Sequence, residues 1–157
     1  MSSREYPDRP WIGVGVIAFR GEEVLLVRRS KPPRQGEWSI PGGAQHLGET
    51  AEEAGRRELL EEAGITVGPL VLAVVVDALA RDDLDRTRFH YTIIDFAGRW
   101  MDGQVVPGDD VSEACWFSPA ELAGLGLWSE ALRAIEEGRR RLAETDQRKS
   151  FSPSSPR

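Results

Sequence analysis

Apolar positions change their period several times along the chain, and each change marks an element. From Trp11 to Arg20, Ile12, Val14, Val16 and Ala18 recur two apart, which predicts a strand with those four on one side. Gly21-Glu22 makes a turn, and Val24 to Val27 is an apolar run short enough for a buried strand ending at Arg28 and Arg29. Pro32, Pro33 and Gly36 mark a loop from Ser30 to Glu37, Trp38 to Ile40 reads as a short strand, and Pro41-Gly42-Gly43 as a tight turn. Thr66 to Ala80 and Thr87 to Ala97 read as two longer strands, joined by the charged turn Arg81 to Arg86 into a hairpin. A polar loop from Met101 to Val111 leads to a strand-like Ala114 to Phe117.

Helical period appears in three places. Thr50 caps a helix that closes at Gly64, with Glu53 completing a capping box. Pro119, after Ser118 and before Glu121, opens a short helix. Trp128 to Leu142 forms a second long helix, with Leu127, Ala131, Leu132 and Ile135 on its buried side. Residues 10–143 are therefore expected to form one α/β domain. Residues 1–9 are expected to be a flexible lead, and the serine- and proline-rich 144–157 a disordered tail.

The 157 residues, 40% hydrophobic and 29% charged, suit a single domain that buries its own core without a staple. One cysteine, Cys115, excludes an intrachain disulfide and a thiolate cluster; Trp116 and Phe117 beside it suggest a buried thiol. MSSREYPDRP lacks the apolar run of a signal peptide, and Leu70 to Val76 is too short to cross a bilayer, so a cytoplasmic location without membrane contact is the expectation. A net charge of -6 disfavours long nucleic acids, which call for a basic stripe. Mononucleotides remain possible, because bound cations reverse the sign of a small site.

Charge concentrates in the first helix. Glu49, Glu52, Glu53, Glu58, Glu61 and Glu62 stand against Arg56 and Arg57, six acids to two bases. Rotation of ~100° per residue places Glu58, Glu61 and Glu62 within a sector of roughly 100°, so three acids share one face. Solvent, basic partners, a raised pKa or a hard divalent cation can relieve such crowding. Arg28 and Arg29 either hold a substrate phosphate or end their strand in solvent, and Arg34 offers a second phosphate contact. Gly42 and Gly43 either bring a backbone carbonyl close to a ligand or simply turn the chain.

Gly43, Glu49, Arg57, Glu58, Leu59, Glu61, Glu62, Gly64 and Ile65 each occupy their place in a pattern that resembles the Nudix box of the Nudix hydrolases. That resemblance implies an α/β/α sandwich around a mixed sheet, with Trp38 packed in the core. It implies that Glu58 and Glu62 ligate Mg²⁺ or Mn²⁺, with the Gly42 carbonyl as a further ligand. Glu61 is expected to ligate or to deprotonate water, and Arg57 to orient a carboxylate. Glu113 is expected as an additional ligand or base from outside the box.

The implied reaction is hydrolysis of a nucleoside diphosphate linked to another group X, a small-molecule substrate. The flanks GVGVIAF, PPRQGEWSIPGGAQ and RFHYTIIDF look most like bacterial ADP-ribose pyrophosphatase-type members, which would release AMP and ribose 5-phosphate. A group of ADP-ribose-specific members carries a proline downstream of the box, and here none occurs between Pro69 and Pro107. Oxidised or ordinary nucleoside triphosphates are the runner-up substrates, and a non-catalytic nucleotide sensor is the alternative of another class. A homodimer is among the assemblies open to such a chain.

Overall fold

The computed structural model describes residues 4–31 and 34–151. Its centre is a mixed sheet with strands in the order β8, β2, β1, β7, β6. These are β1 (Trp11–Arg20), β2 (Glu23–Arg29), β6 (Val71–Arg81), β7 (Thr87–Asp102) and β8 (Val111–Phe117). Among the described residues only β1 and β7 run parallel, and every other pairing is antiparallel. The short β3 (Trp38–Ser39) pairs with β2, β4 (Gly42–Ala44) with β1, and β5 (Thr66–Val67) with β7.

Helix α1 (Ala51–Ala63) lies on one face of the sheet and α2 (Ser129–Ser150) on the other. Leu59 and Ala63 of α1 bury against Val16, Ala18 and Leu25. On the far side, Ala134, Ile135 and Leu142 of α2 meet Ile17, Phe19, Val76 and Ala97. The result is the expected α/β/α sandwich. β1 sits at its middle, so Val14 to Phe19 are all buried: Val14, Val16 and Ala18 share the side under α1, Ile17 and Phe19 lie under α2, and Ile12 near the strand's start is exposed.

Local signals fixed α1. Thr50 Oγ1 accepts the Glu53 N–H, Glu53 returns the bond to the Thr50 N–H, and Gly64 closes the helix at φ 72°. Trp38 packs edge-to-face on Phe117 at 4.9 Å beside the core under α2. Other expectations need correction. Thr66 to Ala80 is two strands, because Pro69 has no N–H to donate and Arg56 takes up the Val67 and Gly68 carbonyls. Gly42-Gly43 is extended backbone paired with β1, not a turn.

The segment expected as a tail is helical as far as Ser150, supported by Glu137–Arg140, Arg140–Glu144 and Arg99–Asp146 pairs; residues 152–157 lie outside the described chain. The N-terminal lead is tied down from its described part onward. The Tyr6 N–H donates to the Arg88 carbonyl at 2.8 Å and its hydroxyl to Asp82 at 2.9 Å; residues 1–3 lie outside the described chain. Cys115 is exposed, because it lies on the outermost strand β8, whereas α2 packs over β1, β6 and β7.

Among the described residues no helix is long and apolar enough to cross a membrane.

Candidate active site

Strands β1 and β2 pair only near their shared turn, at Phe19 with Val24 and Arg20 with Glu23. Beyond it they diverge, β3 following β2 while β4 follows β1. The divergence opens a cleft of about 380 Å³. Its floor and walls include Gly42, Gly43 and Ala44 of β4, Glu58 and Glu62 of α1, and Val27 and Arg29 of β2. Arg4, Lys31 and Asp110 complete its rim.

Two glycines make room for the carboxylates. A Cβ on Gly43 would lie 2.4 Å from Glu58 Oε1, so the Glu58 carboxylate fills the space a side chain would take. A Cβ on Gly42 would lie 2.4 Å from the Val14 carbonyl oxygen, so only glycine lets β4 approach β1 this closely. The Gly42 N–H donates to Glu62 Oε2 at 3.0 Å, fixing that carboxylate against the strand.

Arg57 holds the acids from behind. Its Nε and Nη2 fork onto the two oxygens of Glu49 at 3.0 and 2.8 Å, and Nη1 reaches Glu58 at 2.8 Å and Glu61 at 3.3 Å. The same guanidinium donates to the Ala44 carbonyl, which ties α1 to β4. A forked pair of this kind is the strong form of a charged hydrogen bond. The Arg57 guanidinium and then the His46 N–H hold the Glu49 carboxyl down at about 2.

Glu62 is driven the other way. Burial pushes its carboxyl up to about 8, and the Glu58 and Asp110 charges add to the rise against the pull of the Gly42 N–H and Arg29. The loop between β7 and β8 is joined to the end of α1. The Val106 N–H donates to the Ala63 carbonyl and the Gly108 N–H to the Glu62 carbonyl, which satisfies two carbonyls the helix cannot pair itself. That junction carries Asp110 to the cleft, where it receives Lys31 Nζ at 2.8 Å.

The structure thus brings Glu58, Glu62, Gly42 and Arg29 to one cleft, with Glu61 and Arg57 beside it. Three expected residues are placed elsewhere. Arg28, between Val27 and Arg29 on a pleated strand, turns to the opposite face, where it donates to the Gly36 carbonyl and lies over Trp38. Glu113 stands opposite Arg28 in the β2/β8 register and pairs with it at 3.4 Å, on the side away from the box glutamates. Arg34 sits in a left-handed turn at φ 61° with its guanidinium over Trp128.

Arg4 and Lys31 were not assigned to the cleft from the sequence. Lys31 lies in a loop, and nothing local ties Arg4 to a glutamate half the domain away.

The donors in the cleft are all oxygen, which suits a hard divalent cation rather than a thiophilic one. Two half-buried carboxylates crowded with a third acid are a set that such a cation would stabilise. Among the described residues no group of three acidic, histidine or cysteine side chains already stands as a cage, so bound water and substrate oxygens would have to complete the shell.

Comparison with known proteins converges on one family. A NUDIX domain profile matches residues 9–140. An ADP-ribose pyrophosphatase of Methanocaldococcus jannaschii is 32% identical over 123 residues, covering 78% of this chain and 70% of that protein. A putative 8-oxo-dGTP diphosphatase of Mycobacterium tuberculosis is 35% identical over 106 residues, covering 66% of this chain and 48% of that one. Among solved structures, a MutT NUDIX hydrolase from Burkholderia pseudomallei superposes with a TM-score of 0.72 at 26% identity, over 83% of this chain and 98% of that one. The NUDIX domain of Shewanella oneidensis NrtR, crystallised with ADP ribose, gives 0.71 at 23% identity over 87% and 90%, a likeness of fold alone. With its family profile, its relatives and its fold in agreement, the chain belongs to the Nudix hydrolases.

Proposed function

We propose that this enzyme hydrolyses the pyrophosphate bond of a nucleoside diphosphate linked to another group, with ADP-ribose as substrate and AMP and ribose 5-phosphate as products. The observation that carries the reading is the composition of one cleft. Glu58 and Glu62 line it together with Arg4, Arg29 and Lys31, carboxylates for cations beside bases for the phosphates between them, with Asp110 beside Lys31 on the rim. The relationship to an archaeal ADP-ribose pyrophosphatase favours this substrate over others.

In this reading Glu58, Glu62 and the Gly42 carbonyl hold Mg²⁺ or Mn²⁺. When bound, the ion screens the phosphate oxygens and lowers the pKa of a water it carries. Arg57 is a positioning residue: its fork on Glu49 and its bond to Glu58 set the angle at which the cleft carboxylate is presented. Glu61, three-fifths exposed beside Arg57, takes the proton in this reading as water adds to phosphorus and the bridging P–O bond breaks. Asp110 takes the part expected of Glu113, since it faces the cleft and Glu113 does not.

Purified protein incubated with ADP-ribose and Mg²⁺ should release AMP and ribose 5-phosphate in equal amounts, and excess EDTA should stop the reaction. Turnover of 8-oxo-dGTP or ordinary nucleoside triphosphates with ADP-ribose left intact would favour the second reading, for which the mycobacterial relative speaks. Binding of nucleotides with turnover of none would contradict both.

A further inference from the structure

Strand β6 closes its side of the sheet. Its inner edge is laddered to β7 from Val71 to Arg81, and among the described residues no segment pairs with its outer edge. An open edge of eleven residues presents a row of backbone donors and acceptors to any second strand. Natural edges of this length are blunted by proline, by bulges or by inward charges. β6 contains no proline, and between its two irregularities, at Leu72/Val74 and at Ala80/Arg81, it keeps an unbroken ladder with β7 from Val74 to Ala80.

Its exposed face is patterned. Val75, Asp77, Leu79 and Arg81 recur two apart and are all exposed, Val75 at 52% and Leu79 at 49%. Val74 and Val76, on either side of Val75, are buried in the core beneath α2. The uncovered face therefore alternates apolar, acidic, apolar, basic along the free edge.

We infer that β6 pairs edge to edge with β6 of a second copy of this chain, antiparallel about a two-fold axis at Leu79. An isologous contact must be complementary to itself, and the pattern meets that condition in one register. Centred on Leu79, each Asp77 stands opposite the partner's Arg81 on the same face, and the two Leu79 side chains meet at the axis. Centring on Asp77 would set two carboxylates opposite each other. Centring on Val75 would set Asp77 opposite an alanine and Leu79 opposite a valine, with neither charge answered. Directly opposed unlike charges stabilise a strand pair and like charges destabilise it, so the Leu79 register is favoured. To reach the partner, Arg81 gives up two exposed contacts within its own turn, a 3.2 Å bond to the Asp85 carbonyl and a 3.7 Å pair with the Asp85 carboxylate.

Charge reversal tests both the surface and the register. In sedimentation velocity across the micromolar range, the full chain should run at twice 17.4 kDa. Asp77→Arg and Arg81→Asp should each weaken the dimer about tenfold or more, and the double variant Asp77→Arg/Arg81→Asp should restore it, with circular dichroism unchanged throughout. A wild-type monomer would overturn the proposal. So would a dimer indifferent to either single reversal, or a double variant that fails to regain what the singles lose.

Discussion

Gly43 lacks a side chain where the Glu58 carboxylate needs the room. Its backbone angles are ordinary, so alanine there would not strain the chain; the obstacle is the 2.4 Å approach of the new Cβ to Glu58 Oε1. The contact is with the far end of a flexible side chain, which can move at little cost to stability. It cannot move without leaving its bond to Arg57 or its place in the cleft. Gly43→Ala should therefore keep a melting temperature close to wild type while kcat falls by about 10- to 100-fold, the usual cost of displacing a reacting group by about 1 Å. Turnover within twofold of wild type would show that Glu58 is not held where catalysis needs it. Arg28 and Arg29 carry a different residue-scale lesson. Neighbours on a strand face opposite ways, so only one of them could ever have met the cleft, and alternation alone could have said so.

At the scale of the element, β7 runs between β1 and β6 and carries one buried acid, Asp95, between Ile94 and Phe96. It stands opposite Gly15 of β1, where a Cβ would fall 2.3 Å from its carboxylate oxygen. Burial pushes its carboxyl up to about 6, and Arg133 on α2 opposes this only in part. The folded chain therefore keeps a proton that the unfolded chain gives up from near 3.8 upward. Stability from this group should fall as pH rises from about 4 to about 6 and then stay level. Asp95→Asn removes the penalty, so it should raise stability at pH values above about 7 by up to about 3 kcal/mol and lose that advantage below about pH 4. Chemical denaturation at both pH values measures it, and a variant less stable than wild type at the higher pH would contradict the assignment of burial as the dominant effect. The lone acid within TIIDFA was visible in the sequence; its depth was not, because depth depends on β1 and α2 closing over it.

At the scale of the whole molecule, what the sequence made legible is what neighbouring residues decide among themselves. Thr50, Glu53 and Gly64 bound α1 through contacts within one turn, and the box glutamates share a face by helical rotation alone. The sandwich followed from the resemblance that the box carried. Features set by distant pairing were not legible. Glu113 rather than Asp110 was expected at the cleft, and the choice depends on the β2/β8 register and its irregularity between Arg28 and Arg29. Arg4 reaches the cleft because its segment is held to the β6/β7 hairpin through Tyr6, a contact no local pattern announces. Cys115 is exposed because its strand turned out to be the last on that side.

The account rests on Glu58 and Glu62 as the holders of a divalent ion. Crystals soaked in Mn²⁺ and measured at the manganese absorption edge test this most directly. An anomalous peak between the Glu58 and Glu62 carboxylates, lost in Glu62→Gln, is the expected result. Crystals with no peak in the cleft, or with a peak bound only by groups outside it, would contradict the assignment.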